Sequence, residues 1–256
     1  MNILRFGIVQ YPKKLSMSEK VFNKYFQEIN IDAVYEGINI NPSDFDFKIK
    51  DVLNNYYGLN ITVPYKERIF KYLNAATDSA IFLSAINTIH KGIGYNTDWI
   101  GFYNSIINED LNGDILVLGA GGAAKAILYG LYKIGIDRVK LINRTYERAI
   151  ELKKLFNKKI KIEIEKYEKI NTIINDVDIF INTTSLGMFN ERLPVKLNEK
   201  LSLVYDVVYF HTPLQKKAES LGIKTINGKM MWYYQAVENL KIWNLFNEEK
   251  FLKIKL

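Results

Sequence analysis

A four-residue apolar run, Ile115-Leu116-Val117-Leu118, leads into Gly119-Ala120-Gly121-Gly122 and then into a helix-forming stretch from Ala123 to Ile134. A short run without polar alternation reads as a strand buried on both faces, and such strands belong to parallel sheets covered by helices. A glycine turn between that strand and a helix aims backbone N–H groups at one point, the arrangement that holds a pyrophosphate. Gly119 permits the turn, Gly121 lets backbone approach phosphate, and Ala124 takes the close-packing third position. The segment points to an α/β fold and to a dinucleotide. Many αβ junctions carry such a turn, so the ligand needs support from elsewhere in the chain.

Strand-like and helix-like patterns alternate along all 256 residues, as an α/β protein requires. Strands are predicted at Ile3–Val9, Ala33–Ile40, Tyr57–Val63, Ala85–His90 and Gly94–Tyr95. Helices are predicted at Val21–Ile29, Phe45–Leu53 and Ile100–Ile107. Pro64 suits the first turn of a further helix towards Leu73. Near Asp98 the pattern restarts. Val139–Ile142, Ile160–Ile164, Ile179–Asn182 and Leu203–Val207 then extend a parallel sheet with Ile115–Leu118. A helix from Thr145 to Phe156 has Thr145 as its predicted N-cap, and a long aromatic helix runs from Lys229 to Phe246.

Composition removes several chemistries. The chain has no cysteine, which excludes disulfides, thiolate catalysis and cysteine metal sites. Its two histidines, His90 and His211, are far apart, and no metal is expected. The formal net charge of +7 comes mostly from dispersed lysines, which suits an anionic small molecule better than nucleic acid. No stretch reaches transmembrane length, and the N-terminal apolar run is too short for a signal-peptide core. The expectation is a cytoplasmic protein, monomeric or homodimeric, acting on a small molecule away from membranes and nucleic acid.

The strand after the glycine-turn helix ends at Asn143-Arg144-Thr145. An NAD enzyme places Asp or Glu there to hold the ribose hydroxyls. Arg144, with Arg148 one turn later, offers guanidinium forks suited to a phosphate, so NADP is the expected cofactor. Upstream lie two unusual contexts, Asn60-Ile61-Thr62-Val63-Pro64-Tyr65-Lys66 and Asn96-Thr97-Asp98. A lysine and a carboxylate ahead of a dinucleotide turn suggest proton transfer beside a bound cofactor. Each has a simpler reading: Lys66 as one solvated lysine among many, Asp98 as an N-cap. A helix N-terminus disfavours a cation, which weighs against the simple reading of Lys66. Ser16-Met17-Ser18-Glu19 likewise spells a capping box.

With these motifs placed, the chain resembles the shikimate dehydrogenase family nearly end to end. The resemblance runs from Leu15-Ser16-Met17-Ser18 and Asn23 through the lysine motif, Ala85-Ile86-Asn87-Thr88 and Asn96-Thr97-Asp98. It continues through the glycine turn, Asn143-Arg144-Thr145 and Asn182-Thr183-Thr184-Ser185-Leu186-Gly187-Met188. It closes with Tyr205-Asp206-Val207-Val208-Tyr209, Thr212-Pro213-Leu214, Gly228, Met231 and Gln235. It implies two domains, an N-terminal α/β substrate domain of residues 1–98 plus 236–256 and a Rossmann-like NADP domain of residues 99–235, with the active site in the cleft between them. By resemblance Lys66 and Asp98 are the catalytic pair. Ser16 and Ser18 bind the substrate carboxylate, while Thr62, Asn87 and Gln235 hold its hydroxyls, with Tyr209 nearby. Gly119, Ala120, Gly121, Gly122, Ala123, Asn143, Arg144, Thr145, Arg148, Thr183, Gly228 and Met231 form the cofactor site. The implied reaction is reduction of 3-dehydroshikimate to shikimate by NADPH, a step of aromatic amino-acid biosynthesis. Its alternatives are a broader quinate/shikimate dehydrogenase and a non-catalytic nucleotide-binding relative. The chain departs from the family pattern at Gly7-Ile8-Val9-Gln10-Tyr11-Pro12-Lys13-Lys14, a few residues longer than the usual opening of Gly-x-Pro and a histidine before the first serine, and at Glu19 in place of a proline, Phe22 in place of a histidine and Met230 in place of a glycine.

Overall fold

The computed structural model describes residues 3–13, 16–188 and 195–254; Leu15, the first residue of the serine motif, lies outside them. The chain divides into two compact units, Met1–Thr97 with Ala236–Leu256, and Asp98–Gln235.

The first unit contains β1 (Leu4–Gln10), α1 (Met17–Glu28), β2 (Ala33–Asn39), α2 (Phe45–Asn55), β3 (Gly58–Ile61), β4 (Ala75–Ala76), α3 (Asp78–Leu83), β5 (Thr88–His90) and β6 (Ile93–Tyr95). Its sheet has the order β2-β1-β3-β5-β6-β4. β1 runs parallel to β2 and β3, and β5 returns antiparallel so that Asn60 faces Thr88. α1 buries Val21, Phe22, Tyr25 and Phe26, a one-sided stripe at helical spacing. Those rings meet Phe6 of β1 and Trp243, whose centroid lies 5.0 Å from Phe6 and 5.4 Å from Phe22.

The second unit contains α4 (Asp98–Ile106), β7 (Ile115–Leu118), α5 (Gly122–Ile134), β8 (Arg138–Ile142), α6 (Tyr146–Phe156), β9 (Lys161–Glu165), α7 (Ile170–Ile173), β10 (Ile179–Asn182), β11 (Leu203–Asp206), α8 (Pro213–Ser220) and β12 (Lys224–Asn227). All six strands are parallel, in the order β12-β11-β10-β7-β8-β9. The order reverses direction at β7, the switch point where open parallel sheets bind ligands beyond their strand ends. Register aligns Leu118 with Ile142 and Asn182, and Asn182 with Asp206, so the turns after these strands leave the sheet at one level. α9 (Gly228–Ile242) follows, and α10 (Glu248–Leu252) ends the described chain.

Two expectations need correction. Pro64 does not open an α-helix: residues 62–67 form turns, followed by a 3-10 helix at Arg68–Tyr72. The Lys66 carbonyl accepts the Ile86 N–H at 2.9 Å, which takes it out of any intrahelical ladder. Lys66 is therefore a turn residue, and the helix-terminus argument about its charge does not apply. The last helix stops at Ile242 instead of Phe246, because Asn244 adopts a left-handed φ of 58°. The bonds Leu245 N to Leu240 O and Asn244 N to Lys241 O then close the end, the pattern of a left-handed helix stop. Thr145 is the N-cap of α6, but its side chain makes no capping bond. Sequence reading also left α3, α7, α8, α10, β4 and β12 unassigned.

Gly58 is where the aromatic core touches the sheet. A Cβ there would overlap the indole of Trp243, which is fully buried and donates to the Ile89 carbonyl at 3.3 Å. Gly58→Ala should overpack this site and destabilise the protein by about 1–3 kcal/mol; a lowered urea midpoint at unchanged slope checks it.

Candidate functional site

In the second unit the glycine turn is built as a receptor for an anion. Gly119 sits at φ 111°, and a Cβ there would strike the Thr183 hydroxyl, which is bonded to the Leu118 carbonyl at 2.8 Å. Ala120 N–H is held by the Asn143 side-chain oxygen at 3.1 Å, and the Asn143 amide in turn donates to the Thr145 carbonyl at 2.7 Å. The turns after β7 and β8 are thus locked to each other. Gly121 caps α5 without a side-chain capping bond, and nothing lies within 4 Å of where a Cβ on Gly121 or Gly122 would stand. Helix N–H groups left uncapped beside open space suit a phosphate. Ala123 follows in the first turn of α5. Arg144 and Arg148 are both exposed, and neither forms an ion pair among the described residues. These residues fit a phosphorylated dinucleotide.

The turn after β10 is organised by buried Asn182. Its side-chain oxygen accepts from Thr184 N at 3.1 Å and from the Thr184 hydroxyl at 2.7 Å, and its amide donates to Asp206 Oδ1 at 3.0 Å. Asp206 is fully buried. It also accepts from Val208 N at 3.1 Å, the Thr212 hydroxyl at 2.7 Å and the Gln215 amide at 3.2 Å. Burial pushes its carboxyl upward, and these donors oppose that shift. Asp206 is the residue that sequence reading quoted within a motif but assigned no role. It ties together the turns after β10 and β11 and the start of α8.

The latter turn carries Tyr209. Although 40 % of the residue is exposed, the protein mass around its hydroxyl desolvates the phenol, and the Asp98 carboxylate adds repulsion; together they push it up to about 12. At neutral pH it is therefore a hydrogen-bond donor. Asp98 opens α4 and is half-buried. A Cβ on Gly101, one turn on, would strike the Met231 carbonyl and approach Gln235, so α4 packs directly against the first half of α9. Gly228 lies equally close to Val207 and beside the Tyr209 ring. The structure thus brings Asp98, Tyr209, Gly228, Met231 and Gln235 into one neighbourhood.

In the first unit Ser16 caps α1, its hydroxyl accepting from Glu19 N at 3.1 Å. Only that half of the capping box forms among the described residues, and Glu19 Oε2 is buried without a partner. Accepting a bond leaves the Ser16 proton able to serve a carboxylate, so capping and ligand binding are compatible. Ser18 is buried and its hydroxyl bonds the Tyr35 phenol. Thr62 and Lys66 are half-buried in the turn after β3. Tyr65 fixes that turn, with its ring stacked on Phe45 at 4.3 Å and its hydroxyl on the Ile40 carbonyl. Asn87 accepts from Ile61 N at 2.9 Å and Thr97 N at 2.7 Å, so the segment preceding Asp98 is tied to the strand preceding Lys66.

A parallel sheet with a glycine turn at its switch point defines a dinucleotide-binding α/β protein. Residues 8–89 match the shikimate dehydrogenase substrate binding domain, and residues 104–190 match shikimate / quinate 5-dehydrogenase. The chain belongs to the shikimate dehydrogenase family. It is 39 % identical over 254 residues to shikimate dehydrogenase (NADP(+)) of Thermotoga maritima, covering 98 % of each chain. The crystal structure of shikimate dehydrogenase from that organism superposes with a TM-score of 0.88 over 98 % of each chain. The Thermus thermophilus enzyme in complex with NADP(H) and shikimate is 25 % identical, with a TM-score of 0.85 over 97 % of each chain. The ligand-free 5-ketofructose reductase of Gluconobacter sp. strain CHM43 is 26 % identical, with a TM-score of 0.86 over 99 % of this chain and 98 % of that one. Among the described residues no helix is long and apolar enough to cross a membrane, and no His, Cys, Asp and Glu cluster could hold a metal.

Asp206→Ala would leave three buried donors, of Asn182, Val208 and Thr212, without their acceptor, while the Gln215 amide keeps the Phe210 carbonyl at 3.0 Å. An orphaned buried polar group costs about 1–3 kcal/mol, so thermal unfolding should fall markedly, and a calorimetric scan checks this.

Proposed function

We propose that this protein catalyses the reversible reduction of 3-dehydroshikimate to shikimate with NADPH. The observation that carries the reading is the 39 % identity to the Thermotoga maritima relative over 98 % of both chains, with Lys66 and Asp98 both present. NADPH, when bound, supplies the hydride. Negative charge then grows on the ketone oxygen, where the Lys66 ammonium stabilises it and donates the proton that completes the alcohol. In the reverse direction Lys66 takes that proton back. Asp98 is the carboxylate member of the pair. Thr62, Asn87, Gln235 and Tyr209 orient the ring hydroxyls, and Ser16 and Ser18 meet its carboxylate, so an anionic ring is bound without arginine. Gly119 to Ala123 face the pyrophosphate through backbone N–H groups, with Asn143 and Thr183 holding the turn. Arg144, Thr145 and Arg148 meet the ribose phosphate, and Gly228 and Met231 lie on the nicotinamide side. Quinate, with its extra tertiary hydroxyl and saturated ring, is the competing substrate.

Two outcomes follow from these roles. A charge-assisted bond contributes about 1.5–3 kcal/mol, so Arg144→Ala should weaken NADP binding roughly ten- to a hundredfold and leave NAD binding nearly unchanged. Equal loss for both cofactors in titration calorimetry makes Arg144 merely structural. Removing a positioned acid/base costs about 10²–10⁴ in rate. Lys66→Ala should lose that much turnover with shikimate while still binding NADP. Groups serving one step are non-additive, so Lys66→Ala combined with Asp98→Asn should be little worse than Lys66→Ala alone. Near-normal turnover of Lys66→Ala removes the mechanism.

A further inference from the structure

β9 is an outer strand of the second unit's sheet. It pairs with β8 on one side and, among the described residues, with no strand on the other. Such an edge offers a row of backbone N–H and C=O groups to another chain. The sequence around it, Lys159-Ile160-Lys161-Ile162-Glu163-Ile164-Glu165, alternates between charge and isoleucine, and the charge changes sign at Ile162. Alternation sorts the side chains onto opposite faces of the strand. Ile160 and Ile162 are buried. Lys161 and Glu163 share the other face, where they lie 2.8 Å apart with side chains 70 % and 38 % exposed.

The backbone decides which residues meet the open edge. Lys161 N–H donates to the Asp137 carbonyl at 2.7 Å, so Lys161, Glu163 and Glu165 turn their backbone groups towards β8. Ile162 and Ile164, between them, turn theirs to the open side. A two-fold axis brings the same edge of a second copy alongside, antiparallel. Residues whose groups face such a seam exchange both bonds with the residue directly opposite. Isoleucine must therefore stand opposite isoleucine, and charge opposite charge. An axis at Glu163 sets that carboxylate against its own copy, and an axis at Ile164 sets Glu163 against Glu165. An axis at Ile162 instead places Lys161 opposite Glu163 of the second copy on both sides of the axis. Continued outward, it brings Ile164 opposite Ile160 and Glu165 opposite Lys159, the residues that lead into the strand.

Charges on an exposed edge have a simpler use, as guards against pairing. A guard works best with one sign, which repels a second copy in every register. A sign change centred on an isoleucine does the reverse and makes the strand complementary to itself. Opposite charges across an antiparallel seam stabilise it, and like charges directly opposite weaken it. The start of β9 also borders an open groove of about 530 Å³ lined by Lys153, Lys158, Lys159 and Lys161 with Asp137 and Glu163, whose lysines suit the acidic end of a second strand. We propose that β9 is a homodimer contact: two copies join edge to edge about Ile162, and the sheets of their second units become continuous. β8 separates β9 from β7, so the seam does not involve the glycine turn of either copy. A contact this short belongs with weak, transient interfaces, with a dissociation constant on the order of 10–100 μM.

Sedimentation equilibrium of the full chain, from about 5 μM to about 1 mM, brackets that value. The wild type should pass from monomer to dimer across the range. Glu163→Lys and Lys161→Glu each set like charges against one another at both Lys161–Glu163 contacts, and each should weaken association roughly tenfold or more. An equimolar mixture of the two variants restores opposite charges at both contacts, so it should associate as the wild type does while neither variant does so alone. Neither side chain is buried, and thermal melting followed by circular dichroism should show both variants folded. If one does not fold, the salt dependence of the wild type decides, since exposed charge pairs are screened: association should weaken several-fold between about 0.05 M and about 0.5 M sodium chloride. A wild type that stays monomeric throughout overturns the proposal. So does a dimer that both charge reversals leave intact, a mixture of variants that fails to associate, or, where salt decides, a dimer indifferent to it.

Discussion

Asn87 uses its backbone and its side chain to hold three segments of the first unit in register. Its carbonyl takes the Ile61 N–H, its own N–H goes to the Tyr95 carbonyl at 3.0 Å, and its side-chain oxygen takes the Thr97 N–H. The first tie fixes the end of β3, from which the Lys66 turn departs. The second closes the β5–β6 hairpin, and the third sets the residue that precedes Asp98. A buried backbone group that lost its partner here would cost more than a typical hydrogen bond contributes. The three segments therefore hold together or fail together, and the residues assigned to chemistry hang from this junction.

The second unit solves a different problem with the same means. A parallel sheet ends all its strands at one level, which brings four turns together and leaves their backbone groups to be satisfied. Asn143 serves the turn after β8, Thr183 and Asn182 serve those after β7 and β10, and Asp206 serves the one after β11. Each uses a short polar side chain to replace ladder bonds that stop at the strand ends. The helix N-termini at Gly121 and Thr145 are exceptions, since no side chain caps either. The open space beside Gly121 and Gly122 leaves the N–H groups of that helix terminus able to meet an anion.

Much of this was legible in the sequence, for reasons that can be named. β7, β10 and β11 are buried on both faces and read as unbroken apolar runs. β12 reads Lys-Thr-Ile-Asn and sits at the sheet edge, so its half-polar pattern hid it. α3 has six residues, too few for periodicity to show. The stop at Asn244 was hidden because glycine, the usual residue there, is absent. Lys66 and Asp98 stand out as candidates through their motif contexts, and Arg144 through its place just after β8. Asn60, Thr88, Thr97 and Asn239, buried and hydrogen-bonded to one another, were not found as a group, because each looks like an ordinary strand or helix residue alone. Thr88 and Asn239 lie 151 positions apart, and only the folded chain shows that a hydrogen bond joins them.

The most direct test of the whole account is steady-state turnover of the unmodified protein, following NADPH absorbance with shikimate and with quinate, each supplied with NADP and with NAD. The account predicts efficient oxidation of shikimate with NADP, a large loss when NAD replaces it, and a further loss with quinate. Absence of turnover with shikimate under either cofactor would contradict it.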